Sequence, residues 1–246
     1  MSIEHSNEQN LQKEIKGHQE AAEVFKRSGS FLEYSRTLLL MGNAYLSLSK
    51  IREPEGDLES AIKAYKGALR TLTKKDHPTD YVAVQNNLGR AYNRLAQFRD
   101  KEDNIKLAIG AFKKALTTRN KKGQQIDYAH TQNIMGVSYV ALAEVRDSKR
   151  NDSERNLKLA IEAFKGALTI FAKKDHQVEC AVVNENLGNA YLVLATVRDR
   201  KENLELAVQT YNEALTVCTE ESNSERHKRI MGIVDIVRSR LKKEHS

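Results

Sequence analysis

The chain has 246 residues, of which only 2 are proline, 6% are aromatic and none is tryptophan, while 30% are charged and 40% are hydrophobic. So little proline argues against β-sandwiches and barrels, and the apolar share is too high for a fully disordered chain. The net charge of +7 permits acidic partners or nucleic acid without requiring either. We therefore expect an all-α protein.

The same counts bear on where the chain resides. No apolar run approaches the roughly 18 residues needed to span a bilayer, and the segment Met1 to His5 lacks the basic-then-apolar profile of a signal peptide. Cys180 and Cys218 form no CxxC motif and are too few to staple a fold, which is typical of a reducing compartment. We expect a cytoplasmic protein with no membrane partner.

The first predicted element is an amphipathic helix over residues 8–27, which carries Leu11, Ile15, Ala22 and Phe25 on one face. Four repeats follow at residues 32–75, 79–122, 126–174 and 177–221. A final amphipathic helix is predicted over residues 224–243. A single apolar face is what the terminal helices of a stacked array need, so the two outer helices are interpreted as caps.

Each repeat carries two motifs with helical spacing, which predicts a helical hairpin. Helix A contains a glycine followed three residues later by tyrosine, at Gly42, Gly89, Gly136 and Gly188, with a degenerate fifth copy at Gly232. Helix B contains an alanine followed four residues later by Tyr65, Phe112, Phe164 or Tyr211. The small residues allow the two helices to approach closely. The ten helices are expected to form one continuous array over residues 1–246.

In the second repeat, helix A is predicted from about Asp80 to Arg99, and helix B from Asn104 to about Asn120. Asn104 is interpreted as the N-cap of helix B, because its side chain can accept a hydrogen bond from the first turn. Asp57 and Asn203 are predicted as the equivalent N-caps in the first and fourth repeats.

The sequence Leu-Gly-x-x-Tyr followed by Ala-x-x-x-Phe/Tyr-x-x-Ala resembles the tetratricopeptide repeat, and the resemblance covers about residues 8–243. It implies a right-handed α-solenoid of antiparallel helical hairpins. The repeat here is about 47 residues long instead of 34, which suggests a long-repeat variant whose helices gain one or two turns. The family's tryptophan, four residues before the glycine, is replaced by Leu38, Gln85, Gln132 and Asn184.

The resemblance places function on the free face of helix A, along a concave groove. Asparagine amides can donate to and accept from an extended peptide backbone, and arginine suits carboxylates or phosphates. The alternative is that some asparagines bond neighbouring helices and only fix the superhelix. The predicted groove for a peptide or protein segment comprises Arg36, Leu39, Asn43, Asn86, Asn87, Arg90, Asn93, Arg94, His130, Asn133, Glu185 and Asn189.

Two sets of basic residues also repeat in register. Arg52, Arg99, Arg146 and Arg198 end each helix A, and we expect them to pair with acids of neighbouring hairpins. Lysines at the end of helix B suit the negative end of the helix dipole. They also present a second candidate site, a basic edge that could bind RNA or DNA. That edge comprises Lys74, Lys75, Lys121, Lys122, Lys173 and Lys174.

Motifs for catalysis are absent from the sequence. It contains no Gly-rich phosphate loop, no HExxH, no GxSxG and no Cys/His cluster with metal-ligand spacing. We therefore expect no catalytic residue, no metal and no cofactor. The leading hypothesis is a protein-protein interaction scaffold, with RNA binding as the alternative and self-association as a third hypothesis.

Overall fold

The computed structural model of the chain describes residues 3–118, 125–145, 150–173 and 176–243. These residues form ten α-helices and no strand, which confirms the all-α class. The helices are α1 (Ile3–Arg27), α2 (Phe31–Leu48), α3 (Pro54–Ala68), α4 (Pro78–Leu95), α5 (Lys101–Leu116), α6 (Gln125–Ala143), α7 (Arg150–Lys173), α8 (Gln177–Val197), α9 (Arg200–Leu215) and α10 (Glu220–Lys243).

The helices fall into two compact units, Met1–Asn120 and Lys121–Ser246. In the first unit each helix from α1 to α5 packs on the next, and α2 also touches α4. In the second unit the same order runs from α6 to α10, and α6 also touches α8. Even-numbered helices are the predicted A helices, and odd-numbered ones from α3 onwards are the B helices. The hairpin stacking is therefore confirmed within each unit, while the continuity of one array through residues 119–124 stays a prediction.

The two repeated motifs meet at the centre of every hairpin. A Cβ atom built on Gly89 would lie 2.6 Å from Cε1 of Phe112, and one on Gly188 would lie 2.8 Å from Cε1 of Tyr211. The four aromatic rings that pack on the four glycines are fully buried, and they belong to Tyr65, Phe112, Phe164 and Tyr211. The glycines therefore recur because a helix B ring occupies the space that any side chain would need.

The predicted N-caps of the B helices are wrong. Helix α5 begins at Lys101 and α9 at Arg200, so Asn104 and Asn203 lie inside the first turn and are buried. Their amides donate back to the carbonyls of Arg99 (2.9 Å) and Arg198 (3.0 Å). The helices begin early because Asp100 and Asp199 adopt left-handed backbone conformations, with φ of 46° and 44°, and turn the chain sharply.

The third predicted cap, Asp57, is also wrong, because α3 begins at Pro54 and Glu53 precedes it. Proline suits the first turn of a helix, where its missing N–H is not needed. Asp57 instead accepts two hydrogen bonds from Arg52, both 2.8 Å long. The loop and the first turn of α3 are thus held together by a bidentate ion pair.

The last described helix differs from the other A helices. Outside the backbone of its own helix, no atom of the described residues packs within 4 Å of the position that a Cβ of Gly232 would take. Helix α10 buries an apolar face, with Ile230 and Val234 fully buried, and Val237 packs with Ala195 of α8 and Leu204 of α9. Helix α10 therefore packs on one side only, as a cap does. None of the described helices is long and apolar enough to cross a membrane.

Candidate functional site

Three polar links tie the consecutive A helices α2 and α4 together. Near one end, Nε of Arg36 donates to Oδ2 of Asp80 at 3.0 Å. In the middle, Nδ2 of Asn87 donates to Oδ1 of Asn43 at 2.8 Å. At the other end, Nη2 of Arg94 donates to the backbone carbonyl of Ser49, just after α2, at 3.0 Å. We call this set the polar seam, and it consists of Arg36, Asn43, Ser49, Asp80, Asn87 and Arg94.

The orientation of the Asn43 amide in the seam is fixed by a second bond. The hydroxyl of Tyr65 donates to Oδ1 of Asn43 at 2.9 Å, so this oxygen accepts two hydrogen bonds. The fourth repeat uses the same arrangement, in which the hydroxyl of Tyr211 donates to Oδ1 of Asn189 at 2.6 Å. A buried tyrosine hydroxyl needs such an acceptor. Asn43 and Asn189 therefore each accept a hydrogen bond from the buried tyrosine of their own hairpin.

The sequence contains a signal for this pairing that the sequence analysis missed. The residue after the motif glycine is asparagine in the two repeats whose helix B ring is tyrosine, and it is another residue where the ring is phenylalanine. Arg90 follows Gly89 opposite Phe112, and Val137 follows Gly136 opposite Phe164. A phenylalanine ring has no hydroxyl to satisfy, so the acceptor is not needed there.

In the second unit, the predicted groove residues are also largely engaged inside the chain. Nδ2 of Asn186 donates to Oδ1 of Asn133 at 3.0 Å and joins α8 to α6. The ring of His130 packs edge-on against Phe171, with centroids 5.0 Å apart. Asn133 thus repeats in the second unit the amide pairing found in the first, and His130 contributes to hairpin packing.

Glu185 is the one acidic residue of the predicted groove, and its side chain is only 10% exposed. It accepts from Nε of Arg226 at 2.8 Å and from Nη2 of Arg229 at 2.5 Å. Both arginines lie on α10, so this carboxylate binds the last helix to α8. The alternative interpretation, in which polar residues of this face bond neighbouring helices, accounts for Glu185 and for the polar seam.

Other residues of the same face are accessible to a partner. Arg90 is exposed, no ion pair to it occurs within the described residues, and Leu39, Asn86 and Asn93 are half-buried. Leu40 is 49% exposed and Val137 is 43% exposed. Leu40 is not among the predicted groove residues, because helical spacing alone does not show which of Leu38, Leu39 and Leu40 faces solvent.

Burial raises the pKa of Tyr65 and of Tyr211 above the ordinary tyrosine value, although Arg90 and Arg229 respectively oppose the shift. Ionisation is therefore easier in the unfolded chain, so the contribution of these two tyrosines to stability is constant below about pH 10 and falls above it. Each of these tyrosines should contribute about 1 kcal/mol per pH unit to that fall. Urea unfolding at pH 9 and pH 11 should show a smaller loss for the Tyr65→Phe/Tyr211→Phe variant. An equal loss in both proteins would contradict the assignment.

The repeated arginines pair as predicted at two positions. Arg99 forms an ion pair with Glu59 of the preceding hairpin, and Nη1 of Arg198 lies 2.5 Å from Oε1 of Glu154 of the preceding hairpin. Arg52 pairs with Asp57 of its own hairpin and also, at 3.6 Å, with Glu8 of the preceding helix α1. Arg146 lies outside the described residues. Arg99 and Arg198 therefore hold neighbouring hairpins together.

The basic edge is described only in part. Lys74, Lys75 and Lys173 are exposed. Lys121, Lys122 and Lys174 lie outside the described residues. The described part of the chain contains no group of three His, Cys, Asp or Glu residues that could hold a metal ion. Cys180 and Cys218 are free thiols.

The stacked hairpins, the glycine and aromatic pairs and the polar seam define an α-helical repeat protein whose A helices are aligned by side-chain hydrogen bonds. A family model described as "Tetratricopeptide repeat" matches residues 42–71, which span the first hairpin from Gly42 to Thr71. The first hairpin thus matches the tetratricopeptide repeat, as its motifs predicted.

Two solved structures share the fold over nearly their whole length. The crystal structure of MamA is 20% identical, with a TM-score of 0.56, and the match covers 92% of this chain and 98% of that chain. The crystal structure of BtubC (BKLC) from P. vanneervenii is 18% identical, with a TM-score of 0.53, and the match covers 94% and 92%. Comparison with curated protein sequences gives no match. Repeat proteins of this architecture present extended surfaces for binding other proteins.

Proposed function

We propose that the chain is a non-enzymatic scaffold that binds a protein segment on the free faces of its A helices. The observation that supports this function most is the unused hydrogen-bonding capacity of the Asn43 and Asn87 pair. Oδ1 of Asn43 and Nδ2 of Asn87 bond each other, and no described residue bonds Nδ2 of Asn43 or Oδ1 of Asn87. Nδ2 of Asn43 can therefore donate to a peptide carbonyl and Oδ1 of Asn87 can accept from a peptide N–H, which are the two bonds that a peptide group in an extended segment requires.

The surroundings of this amide pair suit a segment with both apolar and acidic side chains. Leu40 and Leu39 offer apolar contact area on α2. Arg90 lies on α4, three residues from Asn87, and its planar guanidinium can bind a carboxylate through two hydrogen bonds. Asn86 and Asn93 lie half-buried on the same helix and are part of the proposed surface.

The second unit offers a related surface. The bond from Asn186 to Asn133 again uses one donor and one acceptor, and no described residue bonds Nδ2 of Asn133 or Oδ1 of Asn186. Val137, one helical turn beyond Asn133, supplies the apolar contact that Leu40 supplies in the first unit. Arg36, Arg94, His130, Glu185 and Asn189 serve intramolecular contacts, so they are expected to shape the surface and not to bind the segment directly.

The test replaces two accessible residues that do not belong to the polar seam. A partner is first isolated by affinity purification with the unchanged chain, and its dissociation constant is then measured with purified proteins. The Leu40→Ser/Arg90→Ala variant should bind at least about tenfold more weakly, because it loses an apolar anchor and a carboxylate-binding group. Its melting temperature should change little, since both side chains face solvent.

The Lys74→Ala/Lys75→Ala variant is the matched control, because it also changes two exposed residues of the first unit. It should bind the partner like the unchanged chain. Equal affinity of the Leu40/Arg90 variant and the unchanged chain would refute the proposed surface. Gel shifts at low salt with single-stranded RNA test the other hypothesis, and RNA binding that disappears in the lysine variant would favour it over a protein partner.

A further inference from the structure

A large groove lies in the first unit, on the side opposite the polar seam. Its volume is about 1080 Å³, and it extends from α1 across α3 to α4 and α5. The floor between α1 and α3 is formed by Tyr34, Leu38, Met41 and Tyr45 of α2. None of the residues proposed to bind a segment on the A helices lines it. We call this cavity the B-side groove.

The size and shape of the B-side groove suit a helix better than a small molecule. Pockets for small ligands have volumes of about 300–1,000 Å³, which this groove exceeds. Helix α2 packs against both α1 and α3, so its floor residues run along a trough between two helices. The floor covers three helical turns, from Tyr34 to Tyr45, or about 16 Å at 1.5 Å per residue. A partner helix laid along it would place one apolar side chain per turn on the floor.

The rim of the groove on α3 is strongly basic. Lys63 and Lys66 lie three residues apart on one face of α3, Arg70 follows in the turn after the helix ends, and all three are exposed. Within the described residues, no carboxylate forms an ion pair with any of them. Nζ of Lys66 lies 5.6 Å from the ring centroid of Tyr92, where it interacts with the π face. We call these three residues the basic rim.

Few carboxylates oppose the basic rim. Of the described residues that line the groove, Glu23 and Glu59 are acidic, and Glu59 is already paired with Arg99. The lining therefore has an excess of positive charge beside an apolar and aromatic floor. An occupant that carries carboxylates on one face and apolar side chains on another would match both parts.

The basic rim is not a general feature of the repeat. In the motif register, the position of Lys63 is occupied by Gly110, Glu162 and Gln209 in the other three B helices. The position of Arg70 is occupied by Thr117, Thr169 and Thr216. Hairpin packing therefore does not need Lys63 or Arg70. Lys66 differs, because Lys113 and Lys165 occupy its position in the second and third repeats and Nζ of Lys165 lies over the ring of Tyr191.

We propose that the B-side groove binds an acidic amphipathic helix of a partner protein. The apolar face of that helix packs on Tyr34, Leu38 and Met41, and its carboxylates lie along the basic rim. This surface is separate from the one proposed on the A helices, so one chain can hold two segments at the same time.

The probe is a fluorescein-labelled 18-residue peptide that contains Leu at helical spacing, Glu and Ala elsewhere, and no tryptophan. A second peptide carries Lys in place of every Glu. Fluorescence anisotropy with the full chain should show binding of the Glu peptide and at least about tenfold weaker binding of the Lys peptide. Because the chain has no tryptophan, a Tyr34→Trp variant adds a single reporter on the groove floor. Its emission should shift to shorter wavelength on adding an unlabelled Glu peptide.

Charge reversal locates the binding surface. The Lys63→Glu/Lys66→Glu/Arg70→Glu variant should lose at least about tenfold in affinity for the Glu peptide. The Lys50→Glu/Lys74→Glu/Lys75→Glu variant makes the same change in net charge at exposed positions outside the groove, and it should lose much less. Equal losses in the two variants, equal affinity for the two peptides, or no binding of the Glu peptide would overturn the proposal. The Leu40→Ser/Arg90→Ala variant should bind the peptide with unchanged affinity. The proposals for the two surfaces are therefore tested independently.

Discussion

Replacing Gly89 with alanine should lower the free energy of unfolding by about 1–3 kcal/mol, although alanine is the better helix former. The new Cβ would lie 2.6 Å from Cε1 of Phe112 and 2.7 Å from Cζ. The Phe112 ring is fully buried, so it has no empty space to move into. Urea unfolding followed by circular dichroism gives the change from the transition midpoint.

Gly232 provides the matched control, because it occupies the same motif position on α10 but no described residue packs a side chain within 4 Å of its Cβ position. Gly232→Ala should therefore raise the free energy of unfolding, by up to about 1 kcal/mol. A smaller side chain at position 112 should also relieve the clash. The Gly89→Ala/Phe112→Leu variant should therefore be more stable than the sum of the two single changes predicts. Stabilisation by both glycine replacements would show that the ring does not limit the space at Gly89.

Replacing Glu185 with glutamine should destabilise the attachment of α10 by about 2–3 kcal/mol, because it removes the charge from two hydrogen bonds with arginine. The Glu185 side chain is 10% exposed and that of Arg226 is 24% exposed, so their interaction is poorly screened by water. Arg229 contributes less, because its side chain is 59% exposed. In this variant, hydrogen exchange measured by mass spectrometry should accelerate more in α10 than in α6 and α7.

Asp235→Asn is the control for this experiment. It also removes one carboxylate charge, but Asp235 is exposed on α10 and no described residue forms an ion pair with it. Exchange in α10 should therefore remain as in the unchanged chain. If Glu185→Gln leaves exchange in α10 unchanged as well, the buried carboxylate does not anchor the last helix, and the apolar contacts of Ile230 and Val234 alone hold it.

The hairpins could be predicted from sequence because their determinants are local and repeated. The spacing of Gly42 and Tyr45 on helix A, and of Ala61 and Tyr65 on helix B, indicates helices whose buried faces hold a small residue opposite a ring. The starts of the B helices could not be predicted in the same way. Asp100 and Asp199 adopt a left-handed conformation that is uncommon for residues other than glycine, and propensity alone favours a later start at Asn104 and Asn203.

The sequence could predict which helix face carries the candidate groove. It could not predict which residues of that face bond other helices and which stay accessible. Asn43 and Asn87 are 44 positions apart in sequence, and their bond depends on how closely α2 and α4 approach. The distance between two A helices is set by the packing of the B helix between them, which no local pattern encodes. For the same reason, the sequence alone did not distinguish Arg94, which donates to a carbonyl of α2's end, from exposed Arg90.

The B-side groove also depends partly on local sequence and partly on the packing of distant helices. By itself, the sequence determined that Lys63 and Lys66 share one face of a helix, because residues three apart are neighbours at 3.6 residues per turn. Only the tertiary structure decided that this face borders an apolar floor, because the floor comes from α2, a different helix of the array. Helical periodicity is a property of consecutive residues, whereas a binding surface is built from residues that only the packing of several helices brings together.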